Sequence, residues 1–194
     1  MKKIVITGGL GYIGTELCKI YSGYSWNDKV IVIDNRFLSE RVNQLRSWNI
    51  DFVHGDILDK DLIKKHCSDA DIVHHLAGIT DVPRVKSESS DSHNELINKV
   101  AEDGTKNILE AIPNKCKIIM PSTHVIFEGL ESVKKDLKED ELAKPVLSYG
   151  KSKFINEKQL KDSGKNYIIL RLGSVYGYSS DTVSYTHLTL PTKA

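Results

Sequence analysis

The sequence predicts an α/β fold, a doubly wound parallel sheet of about six strands with helices on both faces. Three observations predict it. Short runs rich in Val and Ile alternate with longer amphipathic stretches along the chain. Most of the short runs are apolar almost throughout, the pattern of strands covered on both faces. The first run opens directly on a glycine-rich turn, Thr7-Gly8-Gly9-Leu10-Gly11-Tyr12-Ile13-Gly14, which leads into a helix.

Strands are expected at Lys3–Thr7, Lys29–Asp34, Asp51–His54, Asp71–Leu76, Lys117–Met120 and Tyr167–Leu172. Helices are expected between them, at Tyr12–Tyr21, Ser39–Ser47, Lys60–Cys67, Ser92–Ala111 and Ser148–Ser163. Such alternation builds strand–helix–strand units with right-handed crossovers, hence a Rossmann-type sheet. The stretch Glu128–Lys144 is charged and aperiodic. It is expected to be a surface excursion between the fifth strand and the last helix, its charges solvated. Thr182–Ala194 carries a single charge and no glycine, and resembles the translation of a sequencing-library adapter. Residues 1–181 are therefore expected to form the domain and residues 182–194 a non-native tail.

A chain of 194 residues holds one good-sized core. Its 40% hydrophobic and 27% charged residues fit a globular protein. A net charge of +1 gives no electrostatic reason to expect nucleic acid or an anionic membrane surface as partner. No apolar run approaches the roughly 20 residues of a membrane span. The chain enters a strand pattern at Lys3 with no signal-peptide layout, so a cytoplasmic protein is expected. Cys18, Cys67 and Cys116 fall inside separate elements without metal-ligand spacing and read as reduced, packed residues. His74 and His75, adjacent in one strand, point to opposite faces, so no metal site is expected.

The glycine turn matches a dinucleotide fingerprint at Gly9, Gly11 and Gly14, and a wider spacing at Gly8, Gly11 and Gly14. Glycines allow the backbone to approach a pyrophosphate, and the helix behind them offers free N–H groups and its positive dipole end. Asp34 ends the second strand, 20 residues after Gly14, the spacing of a carboxylate that binds the adenosine ribose. It should repel a 2′-phosphate and favour NAD, while the neighbouring Arg36 keeps NADP open. Asp56 follows the third strand, where it can accept from an adenine amino group or cap a helix. Leu76-Ala77-Gly78 follows the fourth strand with small residues that let a cofactor lie close.

Tyr149 and Lys153 stand four residues apart on one helix, so their side chains share a face. A phenol titrates near 10. The Lys153 charge, with that of an oxidised nicotinamide, should lower this value and allow proton abstraction near neutral pH. Thr123, beyond the fifth strand, can hydrogen-bond the same substrate hydroxyl.

These motifs together resemble the extended short-chain dehydrogenase/reductase superfamily, in its NAD-dependent epimerase/dehydratase branch, which includes UDP-glucose 4-epimerase. The resemblance rests on the glycine turn, Asp34-Asn35, Gly55-Asp56, His75-Leu76-Ala77-Gly78, Gly104-Thr105-Lys106-Asn107-Ile108-Leu109-Glu110-Ala111, Pro121-Ser122-Thr123, Tyr149-Gly150-Lys151-Ser152-Lys153 and Leu170-Arg171-Leu172-Gly173-Ser174-Val175-Tyr176-Gly177. It implies a bound NAD, a nucleotide-sugar substrate, and Tyr149 as base supported by Lys153 and Thr123. The implied cofactor contacts fall on Gly8, Gly11, Tyr12, Ile13 and Gly14 in the turn, on Asp34, Asn35, Asp56 and Ile57 at the adenosine end, and on Leu76, Ala77, Gly78, Tyr149 and Lys153. In that mechanism a ring carbon, often C4, loses a hydride to the cofactor and regains it after the keto-sugar turns over. Homodimers through the helices Ser92–Ala111 and Ser148–Ser163 are implied as well.

The chain departs from the family pattern in three places. His124 and Val125 replace the acidic pair that 4,6-dehydratases carry after the threonine, which disfavours that activity. Ile126-Phe127-Glu128 replaces a Val-Tyr-Gly turn, and Ala101 replaces an asparagine. Two other readings stay open: an NAD(P)-dependent reductase or dehydrogenase on another small carbonyl or hydroxyl compound, and a non-catalytic NAD-binding sensor or scaffold. If the tail is non-native, the region that builds the sugar-nucleotide pocket is missing. The 194-residue chain is then expected to hold NAD weakly and not to turn over.

Overall fold

The computed structural model describes residues 1–24, 27–80, 91–131 and 136–175. The suspected tail, and Tyr176-Gly177 of the resemblance, lie outside the described residues. Twelve elements follow in order: β1 (Lys3–Thr7), α1 (Tyr12–Gly23), β2 (Lys29–Asp34), α2 (Ser39–Ser47), β3 (Asp51–His54), α3 (Lys60–Cys67), β4 (Ile72–His75), α4 (Asp91–Ala111), β5 (Lys117–Thr123), a short 3₁₀ turn (His124–Phe127), α5 (Ser148–Asp162) and β6 (Asn166–Leu172). The six strands form one sheet in the order β3-β2-β1-β4-β5-β6, and every pair is parallel.

Alternation along the strands makes two cores from one sheet. Val5, Ile31, Ile33, Val73 and Ile118 point to one face, where Ile63 and Cys67 of α3, Ile108 of α4 and Leu160 of α5 close over them. Ile4, Ile6, Val30 and Val32 point to the other, under Cys18 of α1 and Val42 and Leu45 of α2. The central strands β1, β2 and β4 are apolar on both sides because both sides are covered, whereas Tyr167, Ile168 and Leu170 of β6 stay exposed. All three cysteines are free and buried within these cores.

β5 runs three residues further than the sequence pattern indicates, through Pro121 to Thr123. Its pairing with β4 ends at His74 and Ile119, whereas its pairing with β6 continues to Thr123 and Leu172. Beyond Met120 the strand has only one neighbour, so the N–H that Pro121 lacks is not needed on the β4 side. The extension carries Ser122 and Thr123 to the rim of the sheet.

Helix α5 is fixed by directed bonds. Glu157 is wholly buried. Its carboxylate accepts from Ser122 Oγ on β5 at 2.6 Å and from Arg171 on β6, Nε at 2.9 Å and Nη2 at 2.7 Å. Lys161 Nζ stands 3.6 Å away, one turn along the helix. Asn156 Nδ2 donates to Ala101 O at 2.7 Å and Thr105 Oγ1 at 2.8 Å, which ties α5 to α4.

Burial alone would raise the Glu157 pKa, but the hydrogen bonds from Arg171 and Ser122 and the charges of Arg171 and Lys161 bring it below its ordinary value. A carboxylate with a depressed folded pKa adds stability that is present above its unfolded value and is lost as the pH falls through the folded one. Glu157→Gln keeps an acceptor for Ser122 but strands the Arg171 charge. It is expected to cost about 3 kcal/mol in urea unfolding at pH 7 and to flatten the loss of stability on acidification below about pH 4.5. A variant as stable as wild type at pH 7 contradicts this role for the pair.

Candidate functional site

The chain winds from β1 outward through β2 to β3, then returns across β1 to begin β4 on its other side. The loops after β1 and β4 therefore diverge and leave a crevice at the carboxyl edge of the sheet, where ligands bind such folds. Every residue singled out from the sequence lies along this edge. Asp56 follows β3, Asp34 and Asn35 end β2, the glycine turn follows β1, Leu76-Ala77-Gly78 follows β4, and Thr123 ends β5. Tyr149 and Lys153 come from the first two turns of α5.

The glycine turn has no room for side chains at its closest points. Gly8 adopts φ +70°, and a Cβ there would meet the Ala77 backbone N at 2.6 Å. A Cβ on Gly14 would meet Gly8 O and Gly9 Cα, both at 2.6 Å. Helix α1 starts just behind, with Gly11 at its cap position and no side-chain cap. Its first N–H groups are thus left for an anion laid across the turn. These are the features a dinucleotide pyrophosphate requires, so the residues present fit NAD.

Asp34 holds the turn in place. It is buried, its Oδ2 accepts from Leu10 N at 3.0 Å, and its Oδ1 accepts from Arg36 N at 3.0 Å. Oδ2 keeps a further lone pair for a ribose hydroxyl. The Arg36 guanidinium leans back on Asp34, with Nε 3.5 Å from Oδ1, and a Cβ on Gly11 would lie 3.8 Å from Nη2. Arg41, buried on α2, donates Nη1 to Leu10 O. Leu10 is therefore gripped at both its N–H and its C=O. At the far end Asn35 Nδ2 donates to Asp56 Oδ2 at 2.9 Å, while Asp56 Oδ1 accepts from Leu58 N at 2.9 Å. Asp56 caps a turn here, and the cap of α3 is Asp59. Ile57 is buried beneath it, and Ile13, 37% exposed, stands at the open side of the crevice.

Between β1 and β4 a buried imidazole ties the two loops together. His75 Nδ1 lies 3.0 Å from Thr7 Oγ1 and Nε2 lies 2.9 Å from Thr105 Oγ1, while Ala77 N donates to Thr7 Oγ1 at 3.3 Å. Burial first, then the Lys153 charge, lowers the His75 pKa to about 3, so the ring is neutral. His74 faces the opposite side against Tyr21 Oη at 2.7 Å, and burial lowers its pKa to about 4. Both rings are therefore neutral. Among the described residues no cluster of His, Cys, Asp or Glu can hold a metal ion.

Lys153 is the charged centre of the site. It is 7% exposed, and burial lowers its pKa to about 8. A Cβ on Gly78 would lie 3.7 Å from Nζ, which puts the ammonium beside the chain leaving β4. The same Nζ is 6.0 Å from the centre of the Tyr149 ring. Thr123 is buried at the end of β5, where its Oγ1 accepts from Val125 N at 3.2 Å and retains its own O–H to donate. Asn156 bonds Ala101 and Gln159 bonds Glu102, so α4 and α5 run side by side in parallel. Earlier on α4 stand Asn94 and Asn98. The Oδ1 atoms of both asparagines are buried without a hydrogen-bond partner.

Several residues that shape this site carried no role in the sequence reading: Thr7, Arg41, Asn156, Glu157 and Glu128. One signal was available. Tyr149, Lys153, Asn156, Glu157 and Leu160 fall at spacings of three and four, which makes a polar stripe on what packing requires to be the buried face of α5. Glu128 is exposed, as expected of the charges in its stretch, and its Oε1 also accepts from Val146 N at 2.8 Å and Leu147 N at 2.6 Å.

Residues 4–190 match the family model described as NAD dependent epimerase/dehydratase family. The chain is 29% identical over 199 residues to dTDP-D-glucose 4,6-dehydratase of Dictyostelium discoideum, covering 91% of this chain and 44% of that protein. It is 29% identical over 187 residues to UDP-glucose 4-epimerase of Azospirillum brasilense, covering 90% of this chain and 49% of that protein. It superposes on UDP-glucuronic acid 4-epimerase from Bacillus cereus in complex with NAD, with TM-score 0.74 and 28% identity over 90% of this chain and 57% of that one. The chain spans about half the length of these curated relatives. The match over residues 4–190 establishes that it belongs to the NAD dependent epimerase/dehydratase family.

Proposed function

We propose that this chain is the cofactor-binding and catalytic half of a nucleotide-sugar epimerase, of the kind that inverts C4 of a UDP-sugar. The observation that carries this reading is the buried Lys153 ammonium, set between the Tyr149 ring and the backbone at Gly78. Bound NAD supplies the acceptor and donor of one hydride at a ring carbon. Asp34 binds the adenosine ribose, and Asn35, Asp56 and Ile57 line the adenine end. The turn from Gly8 to Gly14 carries the pyrophosphate, and Leu76-Ala77-Gly78 lies against the cofactor near its reactive end.

Tyr149 takes the proton from the substrate hydroxyl as the carbon bearing it becomes a ketone, and returns it to the inverted alcohol. Lys153 stabilises the phenolate in a site of low polarity, where its charge acts strongly. Thr123 donates its O–H to the same substrate oxygen. His124 supports epimerisation over 4,6-dehydration, since its Nδ1 donates to Leu172 O at 3.2 Å and supplies no carboxyl for loss of water. The same reading takes the protein as cytoplasmic and homodimeric; among the described residues no helix is long and apolar enough to cross a membrane.

Turnover is best measured on residues 1–175 joined to the C-terminal part of the Bacillus cereus epimerase, because the chain covers only 57% of that enzyme. With a panel of nucleotide sugars, Tyr149→Phe is expected to hold NAD within about twofold of the parent and to lose at least about 100-fold in turnover. Net consumption of free NAD(P)H in place of inversion favours a reductase, and an unaffected Tyr149→Phe removes the reading.

Lys153 binds its proton less tightly folded, at about 8, than unfolded. Stability should therefore rise with pH between about 8 and about 10.4, where only the unfolded state stays protonated. Lys153→Met is expected to stabilise the chain at pH 7 by roughly 1–3 kcal/mol in urea unfolding while abolishing turnover. A destabilised Lys153→Met shows that its charge is not held at a cost. For the adenosine end, Asp34→Asn is expected to raise NADP affinity relative to NAD by about tenfold in calorimetric titration, because it removes a charge that repels the 2′-phosphate. An unchanged ratio excludes Asp34 from the ribose.

A further inference from the structure

The geometry points to Glu128 as a positioning residue for Tyr149: its carboxylate clasps the entry to α5 onto the 3₁₀ turn that follows Thr123, in place of the glycine turn that stands there in the family pattern. The inference rests on reading Tyr149 as the base.

Three sets of bonds form the clasp. Thr123 Oγ1 caps the 3₁₀ turn by accepting from Val125 N. Glu128, the next residue after that turn, accepts from Val146 N at 2.8 Å and Leu147 N at 2.6 Å through the same Oε1. Beside it Gly129 N donates to Lys144 O at 2.9 Å, and Lys144 N donates to Ile126 O at 2.8 Å. The excursion that leaves after Gly129 and returns at Lys144 is thus closed at its neck.

The clasp holds the two residues just before the helix, Val146 and Leu147, whose N–H groups it takes. Leu147 occupies the cap position of α5 and has no side-chain oxygen to offer, so the first turn begins without local support. A carboxylate at a helix N-terminus also meets the positive end of the helix dipole. The next residues are packed onto the same feature. A Cβ on Gly150 would lie 3.3 Å from Val125 O, 3.3 Å from Pro145 Cβ and 3.5 Å from Glu128 Oε1. Gly150 sits flush in a socket whose floor is the 3₁₀ turn, and Tyr149 is its neighbour in sequence. Through this socket the strand end bearing Thr123 and the helix turn bearing Tyr149 become one rigid piece. The excursion between them can then vary without disturbing either.

The test is an ultraviolet difference titration of Tyr149 in the NAD-bound chain, each form read against the same form carrying Tyr149→Phe. Lys153 Nζ stands 6.0 Å from the centre of the Tyr149 ring, and the Glu128 carboxylate sits beside the neighbouring Gly150. Releasing the clasp lets Tyr149 move from Lys153 and raises its pKa, whereas loss of the Glu128 charge alone lowers it. Glu128→Ala is expected to titrate about one unit higher than wild type. Glu128→Gln, which keeps the accepting oxygen, is expected to titrate with wild type or lower. NAD affinity, to which Glu128 makes no contact, should stay within about twofold in both. Should Glu128→Ala fail to bind NAD, Glu128→Asp, one methylene too short to reach, takes its place. A Glu128→Ala phenol that titrates with wild type overturns the clasp, and so does a Glu128→Gln phenol shifted upward with it. A wild-type phenol that titrates as free tyrosine removes the base reading, and the clasp with it.

Discussion

A helix whose buried stripe is polar cannot be held in place by apolar area alone, and α5 is such a helix. Packing against the sheet tolerates a small roll or slide of a greasy face at little cost. A buried carboxylate with three defined donors does not, because any shift leaves a charge without its partner. Glu157 therefore acts as a key. It locks α5 to β5 through Ser122 and to β6 through Arg171, and Asn156 locks the same helix to α4. Tyr149 and Lys153, on the turns before, inherit their orientation from these bonds. Ser122 neighbours Thr123, so one carboxylate indexes both the strand end and the helix.

The other half of the crevice follows the same logic with backbone in place of side chains. Leu10, at the crown of the glycine turn, is fixed through its N–H by Asp34 and through its C=O by Arg41. Thr7 and His75 fasten the turn to the loop after β4. A glycine-rich segment has the largest conformational entropy to lose on ordering. Fixing it before a ligand arrives leaves less of that cost to binding. The neutral state of His75 matters here. A second cation beside Lys153 would be repelled, and the low polarity that keeps the imidazole uncharged also sharpens the field of the lysine.

Much of this was legible in the residues. The apolar runs predicted the sheet, because its central strands, covered on both faces, must be apolar on both. The glycine turn, Asp34, and the Tyr149–Lys153 pair announced the crevice, because their spacings report local geometry: a strand into a helix, the end of the next strand, one turn of helix. The extent of β5 was not legible, because Pro121 reads as a stop and only the missing neighbour beyond Met120 makes it permissible. The roles of Glu157 and Glu128 were hidden for a related reason. Each answers to partners 14 to 35 and 18 to 19 residues away in sequence, which only the folded chain brings within reach. Glu128 in particular reads as one charge among many in a charged stretch until its two N–H partners appear.

The proposed chemistry requires folding to deliver Thr123, Tyr149 and Lys153 to one end of a bound dinucleotide whose other end rests on Asp34. A crystal structure of the chain with NAD tests this most directly. It is predicted to show the pyrophosphate over the start of α1, the adenosine ribose hydrogen-bonded to Asp34, and the nicotinamide ribose within hydrogen-bond reach of Tyr149 and Lys153. A cofactor lying away from that crevice, or one whose nicotinamide turns from Lys153 with Asp34 left empty, contradicts it.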